Sequence, residues 1–174
     1  APGTGSQFGL GDTLQNFFFS PVKPTAGGWI WGAGPVFLLP TATDDLLGAS
    51  QWGIGVTALA LKQQGPWTYG LLTNHVWGVA GSSRYDRISA TFVQPFVSYT
   101  TPTAWTYGAN MESSYDWKAE KWSVPINATV SKLVHFGRMP VSLGGGLRYW
   151  ADSPNGIGPE NLGFRLFVTL LLPK

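Results

Sequence analysis

Between Trp105 and Lys118 the chain reads Trp-Thr-Tyr-Gly-Ala-Asn-Met-Glu-Ser-Ser-Tyr-Asp-Trp-Lys, and it alternates throughout. Trp105, Tyr107, Ala109, Met111, Ser113, Tyr115 and Trp117 fall on one side; Thr106, Gly108, Asn110, Glu112, Ser114, Asp116 and Lys118 fall on the other. Period two over this length predicts one extended strand with two unlike faces. Its aromatics stand at both ends of the apolar face and its middle is small or flexible. A soluble sandwich strand puts its bulk at mid-length and is shorter, about 5–6 residues. Aromatic girdles at two levels, an apolar band between them and a polar opposite face are the pattern of a strand that crosses a bilayer as part of a barrel.

The totals agree with that reading. Charged residues make up 11% of the 174, against about 25% in soluble domains, while there are 9 tryptophans and 23 glycines. No apolar run reaches the ~20 residues of a membrane-spanning helix. The best, Trp29 to Leu39, is interrupted by Gly32, Gly34 and Pro35. In lipid every backbone polar group must find a partner within the protein, so a chain without such helices spans only as a closed barrel. A net charge of +2 without a Lys/Arg cluster gives no footprint for nucleic acid, and the absence of cysteine excludes disulfides and thiolate metal sites. No cofactor is expected.

Nine strand-like runs lie between Gly/Pro/Asn/Asp/Ser punctuation: Thr13–Ser20, Trp29–Leu39, Trp52–Lys62, Trp67–Ala80, Ile88–Tyr99, Ala104–Trp117, Ser123–Phe136, Val141–Trp150 and Leu162–Leu172. Together they predict a single all-β domain over residues 1–174, an antiparallel transmembrane barrel. Short turns at 63–66, 100–103 and 137–140 alternate with longer loops at 40–51, 81–87 and 151–161, with the short connection Lys118–Trp122 as an exception, the arrangement of periplasmic turns and extracellular loops. Bacterial barrels of one chain have even strand counts. An odd nine therefore leads to the expectation that amino-terminal strands are missing or supplied by a partner chain or a second copy.

Particular words of the sequence carry a resemblance. They are Gly9-Leu10-Gly11-Asp12, Phe19-Ser20-Pro21, Gly34-Pro35, Leu39-Pro40-Thr41-Ala42-Thr43-Asp44, Gly65-Pro66-Trp67, Asn74-His75, Gln94-Pro95-Phe96 with Tyr99, Trp122-Ser123-Val124-Pro125 and Leu171-Leu172-Pro173-Lys174. In combination these resemble the family of bacterial outer-membrane β-barrel transporters often mislabelled "neuromedin U". The chain is also similar to barrels encoded beside meta-cleavage phenol-degradation genes. The resemblance implies an outer-membrane location, a barrel of about twelve strands with some three preceding those seen here, and passage of small molecules, hydrophobic or aromatic ones among them.

On this reading the polar faces supply a lumen set: Gln94, Asn110, Glu112, Asp116, Lys118, Arg148 and Arg165. Acids on one wall and arginines on another either sort solutes by a transverse field or pair and fill a narrow bore. Trp105, Tyr107, Tyr115, Trp117 and Tyr149 are expected at the membrane interfaces. Other tryptophans, with Phe17, Phe18, Phe19, Phe92 and Phe96, could instead line a path for aromatic solutes. Lys132 stands on an otherwise apolar face, an exception to the pattern. Arg84 and Arg87 are candidates for lipopolysaccharide phosphates, and Asp44 and Asp45 sit in the longest loop. His75, with Thr73 or Asn74, and His135, with Ser131, lack a nucleophile motif such as Gly-x-Ser-x-Gly, so no enzyme is expected. Circular dichroism of the chain in detergent micelles is expected to be β-dominated; a helix-rich spectrum would contradict this fold.

Overall fold

The computed structural model describes residues 9–44, 48–81, 87–137, 139–152 and 162–170. It is all-β, and no helix occurs among the described residues. The strands are β1 (Thr13–Asn16), β2 (Trp29–Leu39), β3 (Gln51–Gln64), β4 (Trp67–Gly81), β5 (Ser89–Thr100), β6 (Trp105–Met111), β7 (Ser113–Asp116), β8 (Lys121–Phe136), β9 (Met139–Asp152) and β10 (Leu162–Leu170). They form one antiparallel sheet from β1 at one edge to β10 at the other, in which consecutive strands pair, except that β6 and β7 lie end to end and both pair with β5 and β8. Residues 171 and 172, expected in the last strand, lie outside the described residues.

Two differences from the expected strands have one cause. The sixth run appears as β6 and β7, interrupted at Glu112, yet both halves keep the same registers with β5 and β8. Glu112 N–H donates to the Pro125 carbonyl at 2.9 Å, but Pro125 has no N–H to return. The pairs Phe96–Asn110 and Val93–Ser113 likewise set Pro95 opposite Met111, so a second ladder bond is missing beside the first. Proline acts again at the first strand. Phe17 N–H donates to the Pro35 carbonyl and receives nothing back, so regular pairing stops after Asn16. It resumes in the same register at the Phe19–Ala33 bridge.

The two faces of the sheet differ in kind. On one, Trp52, Ile54, Val56, Trp77, Val97, Tyr107, Ile126, Val130, Leu147, Tyr149, Phe164 and Leu166 are all exposed. On the other lie buried polar residues, among them Thr57 (2% exposed), Asn74 and Asn127 (1%). Burial along β3 alternates strictly from Gln51 to Ala58. This is the reverse of a water-soluble sheet, where apolar side chains turn inward.

The tightest approach of strands on the enclosed face is at β3. Gly55 lies between Val36 of β2 and Val76 of β4, both buried, and Gly53 is overhung by Leu38 and Val76. A Cβ on Gly55 would sit 1.8 Å from the His75 carbonyl oxygen, so the strands could not keep this approach. At the Gln63–Pro66 turn Gly65 adopts φ +59°, a conformation that glycine reaches freely.

Gly55→Ala is expected to lower stability by more than the ~1–3 kcal/mol of ordinary overpacking, because the obstacle is backbone. On the exposed face, a Cβ on Gly145 would meet Leu166 Cδ2 at an ordinary 3.4 Å, so Gly145→Ala is expected to be tolerated. Unfolding of both variants in detergent micelles checks the contrast.

Candidate functional site

Charge gathers on the enclosed face where β6, β8, β9 and β10 run side by side. Asn110, Asn127, Arg148 and Gly163 are successive cross-strand partners, and Arg165 stands two residues beyond Gly163 on the same face. Period two thus turns all the polar members of this row inward. Asn127 Nδ2 donates to Asn110 Oδ1 at 2.7 Å, and Arg148 Nε donates to Asn127 Oδ1 at 2.7 Å. Arg148 Nη2 then pairs with Glu112 Oε2, while Arg165 Nη1 reaches Glu112 Oε1 at 3.2 Å. One carboxylate therefore holds two guanidiniums drawn from β9 and β10. The Arg148 guanidinium also lies over the Trp150 ring, 5.5 Å from its centroid. Charge-assisted bonds of this kind are the stronger class, and partial enclosure screens them less than surface pairs.

Four of the expected lumen residues, Asn110, Glu112, Arg148 and Arg165, are thus joined in one network, with Asn127 linking Asn110 to Arg148. Asn127 was legible as a member of the polar face, but nothing in the sequence marked it as the link. Gln94 lies on the same face between Phe92 and Phe96. Asp116 and Lys118 are elsewhere: Asp116 Oδ1 accepts the N–H groups of Lys118 and Ala119, capping the turn between β7 and β8. With Arg87 they border a shallow depression at the sheet end.

The other half of the enclosed face is apolar. A cavity of about 350 Å³ is lined by Leu14, Leu38, Leu72, Val76, Ile88 and Phe92, with Asn16, Asn74 and Ser114 as its polar members. Asn16 Oδ1 is buried and has no hydrogen-bond partner. Phe92 lines this cavity, Phe96 closes over Gly70, and Phe17 and Phe19 lie on the exposed face.

Aromatics on the exposed face gather at the two ends of the strands. At one end Trp29 meets Tyr69 at 5.9 Å, Trp67 meets Tyr99 at 5.0 Å, and Tyr107 pairs across from Tyr99. Lys132, the exception in its strand, stands opposite Trp105 with its ammonium 5.0 Å from the ring. A long side chain ending in a cation–π contact reconciles the charge with an apolar face. At the other end Tyr115 contacts Trp117 at 4.9 Å and Trp122 at 4.8 Å, with Tyr149 exposed nearby on β9.

His75 Nδ1 lies 2.7 Å from Thr91 Oγ1, which also accepts the indole N–H of Trp117 at 2.8 Å. Its partner is therefore neither Thr73, which bonds to the Phe92 carbonyl, nor Asn74, which points to the opposite face. His135 pairs across from Pro140. Asp12 anchors the longest loop by accepting the N–H groups of Ala42 and Ala49, and Leu10 and Thr43 bond to each other. Asp45 and Arg84 lie outside the described residues.

Removing the shared carboxylate by Glu112→Gln leaves two neighbouring arginines and is expected to cost about 1.5–3 kcal/mol, the range for hydrogen bonds to charged groups. Lys118→Ala, at the exposed turn, is expected to stay within about 0.5 kcal/mol. Denaturation in micelles distinguishes them; equal effects would refute the network's stabilising role.

Compared with known proteins, the chain matches no family model, no curated protein and no solved structure.

Proposed function

We propose that this chain is a bacterial outer-membrane β-barrel, of the transporter family its sequence words resemble, and that it passes small molecules across the bilayer. The observation that carries the reading is the inverted burial: a continuous exposed apolar face encloses Thr57, Asn74 and Asn127. Such a sheet is stable where its surroundings are hydrocarbon, and the aromatic clusters at both strand ends suit the two interfaces. The enclosed face then lines the passage. Its apolar cavity suits the body of a hydrophobic or aromatic solute, and the unpaired Asn16 Oδ1 can accept one hydrogen bond from it. Arg87, exposed at one end of the sheet, would meet lipopolysaccharide.

A second reading, a barrel completed by another strand-bearing chain or copy, is favoured by the edges. β1 and β10 are each paired on one side only, and Phe164 and Leu166 on β10 are 84% and 90% exposed, well above their counterparts on inner strands. Unpaired edges do not persist in lipid.

Reconstituted in planar bilayers, the chain is expected to give discrete conductance steps. A silent bilayer after verified insertion would remove the passage reading. A defined complex with a second polypeptide in mild detergent would favour the completed barrel, and a monodisperse monomer would count against it.

A further inference from the structure

The charged network has a sign. Within the strand interiors of the enclosed face, the charged side chains among the described residues are Glu112, Arg148 and Arg165. Asp116 and Lys121 face each other at the end of β7 and β8 and cancel. Two guanidiniums against one carboxylate leave a surplus of +1. The two arginines are not equivalent. Arg148 is committed to Glu112, to Asn127 and to the face of Trp150, and its side chain is only 22% exposed. Arg165 gives Glu112 one nitrogen and keeps 42% of its side chain exposed on the same face.

We infer that Arg165 is an anion-selecting group, and that the enclosed face discriminates in favour of anionic solutes such as small carboxylates. Glu112 holds the guanidinium in place without neutralising the pair of arginines, so the residual charge is fixed in direction rather than spread over a mobile side chain. A planar guanidinium with free N–H groups is suited to a carboxylate, which it can engage through two bonds. Focusing between low-dielectric walls strengthens the effect of a single charge, and salt weakens it. This inference rests on the passage reading and assigns it a substrate sign.

The test is a charge series measured by zero-current potential across planar bilayers in a KCl gradient. Glu112→Gln, the native chain, Arg165→Gln and Arg165→Glu carry surpluses of +2, +1, 0 and −1. Chloride preference of the native channel is expected to be roughly threefold at low salt, to rise in the first variant, vanish in the third and reverse in the fourth. Arg165→Lys should retain it. A conducting native channel that prefers potassium, or a series that does not follow the surplus, overturns the inference and leaves passage standing. A silent bilayer removes passage instead, and a second measurement then decides. Quenching of Trp150, taken as the difference between the native chain and Trp150→Phe in micelles, is expected to be stronger with iodide than with caesium and to weaken in Arg165→Gln. Equal quenching by the two ions overturns anion capture.

Discussion

Backbone N–H and C=O groups must be hydrogen-bonded wherever water is kept away, and in this single sheet neighbouring strands satisfy them for one another. That constraint governs the rest of this structure. It favours long strands in continuous register, and with β6 and β7 taken as one strand each of the eight pairings has at most one bulge. It also makes each interior proline conspicuous. Pro35 ends the regular pairing of β1, and Pro95 and Pro125 flank the interruption between β6 and β7. The carbonyl of Glu112 loses its ladder donor at the residue whose side chain gathers two arginines. Backbone irregularity and the charged centre coincide.

The enclosed face solves a packing problem in two ways. Around β3 the missing side chains of Gly53 and Gly55 let Val36, Leu38 and Val76 meet over the strand, and the face becomes an apolar hollow. Around β8 the strands carry Asn110, Asn127, Arg148 and Arg165, whose length fills the space and whose hydrogen bonds satisfy one another. Buried polar groups are tolerable only when connected, and here they form a chain from β6 to β10. The two halves give one surface with an oil-like side and a charged side.

Much of this was legible before any coordinates. Period-two alternation located nearly every strand and put Arg148 and Arg165 on the polar face, because each side chain has only two directions to choose from. The set Asn110, Glu112, Arg148 and Arg165 followed from the same alternation. What alternation cannot give is position across the sheet, which depends on register and hence on turn geometry. That is why Asp116 and Lys118, on the correct face, belong to a turn and not to the network. It is also why Asn127 looked like one polar residue among several. Register explains some words of the sequence as well. Gly9-Leu10-Gly11-Asp12 and Leu39-Pro40-Thr41-Ala42-Thr43-Asp44 are distant in the chain but meet where Asp12 holds the loop amides of Ala42 and Ala49. In β2 and β3 the enclosed face is largely glycine with Val36 and Leu38, which alternation in polarity does not mark.

The order of the strands carries a consequence for how such a sheet is made. With β6 and β7 counted as one interrupted strand, every pairing joins neighbours in sequence, so each hairpin can form from residues already adjacent before any distant contact exists. Any contiguous subset, from β8 to β10 for instance, already has one apolar and one polar side. A growing edge is then a template for the next strand at every stage, and assembly can proceed by addition at that edge. At β10, an edge strand of the sheet, the template is an unpaired ladder beside a bare apolar face.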